Sequence, residues 1–404
     1  MTIVELYDPV NVENIIGAMV CAPERVVLIG DDVKKINRSI ERYKKILGAH
    51  GIETELIAKR GSKSNFQYVV DMLSEIVETY GECVIDITGG NEFYLVAVGM
   101  IMRDYAGLVQ CHKYNFRKGV FTDCDMDGKV VNNGELVLSI EENIALYGGE
   151  VVWEEPDRKF YTYKWDLNGE FEQDVNRMWN ICEDDPRYWN SVITALGDLY
   201  EKYGNGLSLE FNIEEAERFL DRRFRYAKGL ISSLNMCGVI SRFTVTGDEF
   251  SITFKNEQCL KTLTVAGQLL ELHTAYRLLN MREDADNEKP FFDDIMVGVV
   301  IDWSDSETDD NVINEIDVLA MKDGMPFFIS CKNGDIKNEE LYKLNSVADK
   351  FGADHARKVL VFPNVDLLDN GDDLTQRMDK MGIKYLDLDT HGCDRFENFV
   401  RTLI

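Results

Sequence analysis

Residues Val312–Gly334 read VINEIDVLAMKDGMPFFISCKNG, and this stretch decides the fold of the C-terminal third. Two apolar runs rich in β-branched and aromatic residues flank Lys322-Asp323-Gly324-Met325, and Asp-Gly between such runs signals a β-hairpin. A two-residue turn at Asp323-Gly324 sets Asp317 opposite Ser330 and Glu315 opposite Lys332. Side chains alternate along a strand, so all four then project from one face. Two carboxylates, a hydroxyl and an ammonium gathered there have the chemistry to hold a divalent metal and polarise a phosphate. Pro326, directly after the turn, is placed to slip the register, and a slip of one residue would scatter the set. A solvated ladder of charges on an exposed sheet face gives the same pattern without any chemistry.

This arrangement resembles the PD-(D/E)xK nuclease core, in which an acid on one strand is followed by acid-x-Lys on the next. Asp317 stands at the first acid and Lys332 at the lysine, while Ser330 occupies the place of the second acid. The resemblance implies that a metal ligand comes from elsewhere, or that the backbone carbonyl of Cys331 serves. Glu271, in the amphipathic run GQLLELHTAYRLL (267–279), is placed like the leading-helix glutamate of these nucleases. Glu340, on the helix after the hairpin, is a candidate relocated acid. The implied chemistry has Asp317, with Glu271 or Glu315, holding Mg²⁺ or Mn²⁺. Lys332 stabilises the charge developing on the phosphate, and Ser330 orients water or a ligand.

From about 264 to the C-terminus the order reads helix, acidic loop, hairpin, helix (339–351), strand (359–362), helix, strand (383–388) and last helix. That order suits a restriction-endonuclease-like α/β sheet. Upstream, residues 186–260 read as helices followed by a hairpin around Thr246-Gly247-Asp248, which suggests a winged-helix-like connector. Arg222, Arg223 and Arg225 in this region read as a solvated helix face, with nucleic-acid contact as the sharper alternative. Residues 153–185, acidic and aromatic, read as a bridge between domains.

The first 110 residues alternate strand and helix, with strands at 2–6, 25–29, 53–58 and 83–87 and helices at 12–20, 34–49, 65–80 and 93–105. Alternation at this spacing predicts a parallel sheet with helices on both faces. Ligands of such sheets sit beyond the carboxyl ends of the strands, near the switch point. Two loops there are specialised, Tyr7-Asp8-Pro9-Val10-Asn11 and Thr88-Gly89-Gly90-Asn91-Glu92. A Gly-Gly pair at a strand end lets backbone approach an anion, with the free N–H groups of a helix start beyond it. A tight strand-to-helix turn calls for the same glycines.

The segment VIDITGGNEFYLVAVG (84–99) resembles the Thr-Gly-Gly signature of CARF domains, the cyclic-oligoadenylate sensors of type III CRISPR defence. YDPVNVENIIGAM (7–19) resembles the first loop and helix of those sensors, with Asn14 in the matching position. Glu92 stands where many CARF domains carry a lysine. The resemblance implies a ligand site drawing on Asp8, Pro9, Asn11 and Asn14 of the first loop. Asp31 after the second strand and Thr88, Gly89, Gly90, Asn91 and Glu92 of the fourth-strand loop complete it. Lys59, Arg60 and Lys63 read as an exposed basic loop, or as the missing positive charge.

Between 108 and 155 the pattern turns to short β runs. Asp123-x-Asp125-x-Asp127-Gly128 mimics the start of a calcium loop, but Gly134 replaces the glutamate of its twelfth position, so a hairpin turn is the reading.

At 404 residues with 45% hydrophobic side chains, the chain suits two or three domains with ample core. The formal net charge of −28 argues against a protein that coats long duplexes nonspecifically, since phosphate neutralisation needs basic surface. The acidic run at 302–310 reads as a solvated loop. Nine scattered cysteines without a Cys-x-x-Cys pair suggest reduced thiols. The opening MTIVELYDPV carries no basic leader, and no run reaches membrane-spanning length, so a soluble cytoplasmic protein is expected. The five histidines are dispersed without zinc spacing, and His273 reads as a surface residue. Walker, Gly-x-Ser-x-Gly and Gly-x-Gly-x-x-Gly motifs are absent, which argues against ATP hydrolysis, acyl transfer and nicotinamide chemistry.

These readings divide the chain into a sensor domain (1–150), a connector (151–263) and a nuclease-like domain (264–404). Their order on one chain resembles the CARF-nuclease effectors of type III CRISPR systems. That resemblance implies a homodimer binding one ring, most often cyclic tetra-adenylate, across its two-fold axis, and DNA or RNA as substrate. The rival reading is a non-catalytic sensor whose nuclease domain has degenerated into a docking module, with Ser330 as its best support.

Overall fold

In a parallel sheet the first strand's position sets the switch point, and here Thr2–Leu6 lies in the middle. A computed structural model describes the chain apart from residues 125–128, 133, 156–157, 285–287, 304–312, 335, 353–354, 364–370 and 389–392. Residues 125–128 and 133 of the calcium-like loop and 304–310 of the acidic run therefore lie outside the described residues. The first sheet runs in the order Glu55–Arg60, Arg25–Gly30, Thr2–Leu6, Cys83–Asp86, Val109–Asn115, Val120–Asp123, Val130–Asn132. The first five are parallel and the last two antiparallel.

Alternation divides this sheet into two packed faces. Val4, Leu6, Val27, Ile29 and Ile85 bury under the helices Phe66–Tyr80 and Glu92–Asp104, in a core of their own. Ile3, Val26, Leu28 and Val84 face the helix Val33–Ala49 through Ile36, Ile40 and Tyr43. Each helix start is capped by an Asx side chain, Asp32, Asn65 or Asn91, which accepts from otherwise orphaned backbone N–H groups. The helix read over 12–20 is instead a 3₁₀ turn, Asn11–Asn14, followed by a short helix, Ile16–Cys21.

The middle of the chain holds the helices Gly169–Cys182, Pro186–Tyr203, Ile213–Leu220 and Lys228–Met236. A four-stranded sheet closes it, in the order Ile240–Thr246, Glu249–Phe254, Ser208–Asn212, Gly204–Asn205.

The third sheet has six strands, in the order Ile383–Asp387, Arg357–Phe362, Met325–Cys331, Ile313–Lys322, Asp294–Asp302, Glu150–Val151. The α/β architecture is as expected, but two of its strands are additions to the sequence reading. Asp294–Asp302 precedes the acidic loop in a stretch to which no element was assigned, and Glu150–Val151 adds an edge to this sheet from far upstream in the chain. The helix Gln268–Leu279 packs on the sheet and on Gly169–Cys182. It is buried nearly all round, including His273, which is 7% exposed. His273 is thus a core residue and not the surface histidine of the sequence reading, because a second layer of helix covers it.

Candidate functional site

The hairpin has the register that a two-residue turn dictates. Asp323 and Gly324 take φ 48° and 77°, the double left-handed geometry of a type I′ turn. The ladder then runs from Lys322 with Met325 to Val318 with Ile329. Pro326 pairs with Met321 without slippage.

One step beyond the last pair, the side chains meet. Asp317 Oδ2 accepts from Ser330 Oγ at 3.1 Å, from the Cys331 backbone N–H at 2.7 Å and from Lys332 Nζ at 3.2 Å. Lys332 Nζ also lies 3.3 Å from Glu340 Oε2, so the helix Asn338–Gly352 delivers a second carboxylate. Burial alone pulls the Lys332 ammonium down, but Asp317 and then Glu340 outweigh it and push its pKa up to about 12. The lysine is therefore a fixed cation at neutral pH.

Glu315 and Glu271 join this set through their fields. Burial first, then the negative charges of Asp317 and Glu315, hold the Glu271 carboxyl well above its usual range. Burial and Asp317 raise Glu315 in turn. Asp317, Ser330, Lys332, Glu340 and Glu315 line one cleft of about 350 Å³. Glu271 stands on the helix that touches the opposite side of the strand, where Thr274 Oγ1 lies 3.7 Å from Cys331 Sγ. Cys331 is 5% exposed, and burial, then Asp317 and Glu271, keep its thiol protonated. Its side chain is not among those lining the cleft.

Among the described residues, no three His, Cys, Asp or Glu side chains form a ready metal cage. The donor chemistry nevertheless fits a hard divalent cation. Carboxylates that raise one another's proton affinity are those a dication would neutralise, and oxygen donors suit Mg²⁺ or Mn²⁺. Asp317 and Glu315 line the cleft where such an ion would sit, and Glu271 reaches it only through its field.

The second constellation sits at the switch point of the first sheet, where the loops after Thr2–Leu6 and Cys83–Asp86 diverge. Gly90 N–H donates to Asp8 Oδ2 at 3.1 Å, joining the two loops. Gly90 takes φ 92°, and a Cβ there would lie 2.6 Å from Leu6 Cβ, so glycine is required. Asn91 caps the next helix, accepting from Tyr94 N–H at 3.1 Å, with exposed Glu92 in its first turn. Thr88 Oγ1 donates to Asp86 and accepts from Tyr114 N–H at 2.7 Å, so its hydroxyl ties strand ends together.

Asn14 is 3% exposed and closes the first loop from within. It accepts from Asp8 N–H at 2.7 Å and donates to the Asp8 carbonyl at 2.8 Å. Asn11 accepts from Tyr43 OH at 3.0 Å. Pro9 is the exposed tip of that loop. Asp31 pairs with Lys63 at 2.8 Å, which holds its carboxyl low, and Lys59 pairs with Glu75 at 3.2 Å. Arg222, Arg223 and Arg225 leave the helix face read for them, since the helix ends at Leu220 and Arg225 pairs with Asp248 at 2.8 Å.

Sequence reasoning missed three acids beneath these loops. Glu5 and Asp86 face each other across neighbouring parallel strands, each 2% exposed. Burial, countered by Thr88 hydrogen bonds, pushes Asp86 up to about 7. Burial and then Asp86 raise Glu5 well above its normal value. The signal was a lone acid in each apolar strand, TIVEL and CVID. Glu13, 9% exposed, is the third.

Residues 260–387 match the family described as the Card1-like endonuclease domain, and Asp317, Ser330, Lys332, Glu340 and Glu271 all fall within it. No curated protein sequence matches the chain. Among solved structures, the chain is similar to protein VC1899 from Vibrio cholerae, with 17% identity, a TM-score of 0.73, and 99% of this chain and 97% of that one covered. It is also similar to Can2 from Sulfobacillus thermosulfidooxidans in complex with cyclic tetra-adenylate, with 14% identity, a TM-score of 0.66 and coverage of 99% and 97%. At these identities the likeness is one of fold, carried over the whole chain.

Proposed function

We propose that this chain is a nuclease of type III CRISPR defence, switched on by a cyclic oligoadenylate and dependent on a divalent metal. The observation that carries the reading is the Asp317–Ser330–Lys332–Glu340 cluster inside a Card1-like endonuclease domain. A Thr-Gly-Gly loop stands at the switch point of a doubly wound sheet on the same chain. Residues 1–150 are the sensor, 151–263 a winged-helix-like connector and 264–404 the nuclease. The activator is cyclic tetra-adenylate, the ring held in the Can2 complex that shares this fold. The protein acts in the cytoplasm, and none of its described helices is long and apolar enough to cross a membrane.

Asp317, with Glu271 or Glu315, would hold Mg²⁺ or Mn²⁺, which when bound would supply charge neutralisation at the phosphate. The rest of the chemistry belongs to the chain. Lys332, protonated and pinned between Asp317 and Glu340, stabilises negative charge building on the phosphate. Ser330 fixes the rotamer of Asp317 by donating to Oδ2. The substrate is DNA or RNA admitted as a short segment, since the chain carries a formal net charge of −28.

A two-fold-symmetric ring suits a receptor made of two copies. The helix Glu92–Asp104, which follows the Gly-Gly loop, leaves Val96 60% exposed and Leu95 37% exposed, and Tyr68 beside it is 44% exposed. This apolar surface supports a homodimer closing over the loops.

A second reading, a non-catalytic ring-sensing regulator, draws on Ser330 in the place of an acid. The absence of a ready three-ligand cage among the described residues supports it too. Mn²⁺ titration by calorimetry, with and without Asp317→Ala, separates the two. Binding that needs Asp317 and accompanies cleavage supports the nuclease, and weak binding without cleavage supports the regulator.

A further inference from the structure

The first-loop 3₁₀ turn, Asn11–Asn14, has the ring-sensing loops on one side and the nuclease domain on the other. Toward the loops, Asn14 locks Asp8, and Asp8 holds Gly90 N–H. Glu13 is wedged beneath the same loop, so that a Cβ on Gly89 would lie 2.7 Å from Glu13 Oε2. Toward the nuclease, Glu13 Oε1 lies 2.6 Å from His355 Nε2, a contact between residues 342 positions apart. The His355 ring stacks on Phe116 of the first domain at 3.9 Å. Val12 meets the tip of the catalytic hairpin, where a Cβ on Gly324 would lie 3.4 Å from Val12 Cγ2.

His355 lies two residues before the strand Arg357–Phe362, which pairs in parallel with Met325–Cys331. That pairing continues into the catalytic segment, because Lys332 N–H donates to the Val361 carbonyl at 2.8 Å. From Gly89 to Lys332 the connection therefore consists of one buried carboxylate, one imidazole and one sheet register.

We propose that Glu13 and His355 are positioning residues of the nuclease. On this assignment, their contact carries the state of the Gly89–Gly90 loop to Lys332 through the strand Arg357–Phe362. The inference rests on the ring-sensing role given to those loops. An anion that settles on the Gly-Gly backbone meets Glu13 directly below and drives its carboxylate toward the nuclease side. Glu13 cannot move without His355, which Phe116 holds in plane. A ligand shifts such an equilibrium only by its differential affinity for the two arrangements, so breaking the contact removes activation and spares ring binding.

The test uses the full-length protein. His355→Phe keeps a ring to stack on Phe116 and removes the nitrogen that meets Glu13. Glu13→Gln keeps an acceptor for an imidazole N–H, and Glu13→Ala is the second disruptive variant, made from the sensor side. Three quantities are measured: cyclic tetra-adenylate affinity by calorimetry, kcat and KM on a labelled single strand with and without ring, and amide exchange in 327–332 and 357–362. In the native protein the ring is expected to raise kcat and alter exchange in both segments. In His355→Phe and Glu13→Ala, ring affinity stays within about threefold of native while activation of kcat falls about tenfold or more, at unchanged KM. The ring-induced change in exchange disappears as well, and Glu13→Gln retains most of both responses.

Full activation and a native exchange response in both disruptive variants overturn the proposal. A disruptive variant that binds no ring does so too, because its contact then serves the sensor's fold. If the native protein binds no ring, the sensor reading itself fails, which calorimetry on native protein reveals before any variant is made.

Discussion

Asp317 Oδ2 and Lys332 Nζ lie 3.2 Å apart across a hairpin whose two-residue turn alone fixes their register. The same oxygen takes the Cys331 N–H at 2.7 Å, so the carboxylate is oriented by backbone as well as by charge. Its role differs from that of Ser330, which contributes one neutral hydrogen bond. Asp317→Ala or Lys332→Ala is expected to lower kcat for metal-dependent cleavage by on the order of 100-fold or more, against roughly tenfold or less for Ser330→Ala. Equal losses for all three would show Ser330 to be a ligand in its own right.

The turn itself is a second point of sensitivity. Gly324, at φ 77°, has Leu136 and Val12 against the position a Cβ would take. Gly324→Ala is therefore expected to cost about 1–3 kcal/mol, read as a lower urea midpoint with unchanged m-value. An unchanged midpoint would mean that the turn has room the structure does not show.

Gly90 plays the matching part in the sensor. With φ 92° and Leu6 Cβ 2.6 Å from a would-be Cβ, Gly90→Ala must distort the loop that Asp8 holds. Calorimetry should show cyclic tetra-adenylate affinity falling at least tenfold, while Mn²⁺ binding in the nuclease cleft is kept. Native ring affinity in this variant would place the ring elsewhere.

The buried Glu5–Asp86 pair gives a pH signature. Unfolded carboxyls titrate near about 4, whereas burial pushes Asp86 up to about 7. Across that window the folded state holds more protons, so this stabilising share is complete below about 4 and lost as pH rises through about 7. Asp86→Asn removes the dependence. Its stability relative to native should rise between pH 5 and pH 8, by on the order of 2 kcal/mol, in paired urea melts. A pH-independent difference would show that the carboxyl is ionised throughout.

Legibility followed the range of the interaction that fixes each element. Asp323-Gly324 prescribes its own turn, and the cluster of Asp317, Ser330 and Lys332 follows from two-residue alternation, so both could be read from sequence. The strand Asp294–Asp302 could not, since its near-continuous apolar run shows no two-residue alternation and a glycine, Gly298 at φ 61°, sits in its middle. His273 reads as the polar side of an amphipathic helix, yet Trp179 stacks on it at 4.1 Å from a helix nearly a hundred residues upstream. Burial and Arg277 then bring its pKa down to about 3, and it stays neutral. Glu13 and His355 carry no local signal at all, because only the packing of one domain on another brings them together.

The decisive measurement is cleavage of labelled single-stranded DNA, RNA and supercoiled plasmid with Mn²⁺, with and without cyclic tetra-adenylate. Lys332→Ala serves as the control. Native protein is expected to cleave at least one substrate in a reaction that requires ring, metal and Lys332 together. Ring binding without cleavage of any substrate, or cleavage that Lys332→Ala leaves intact, would contradict it.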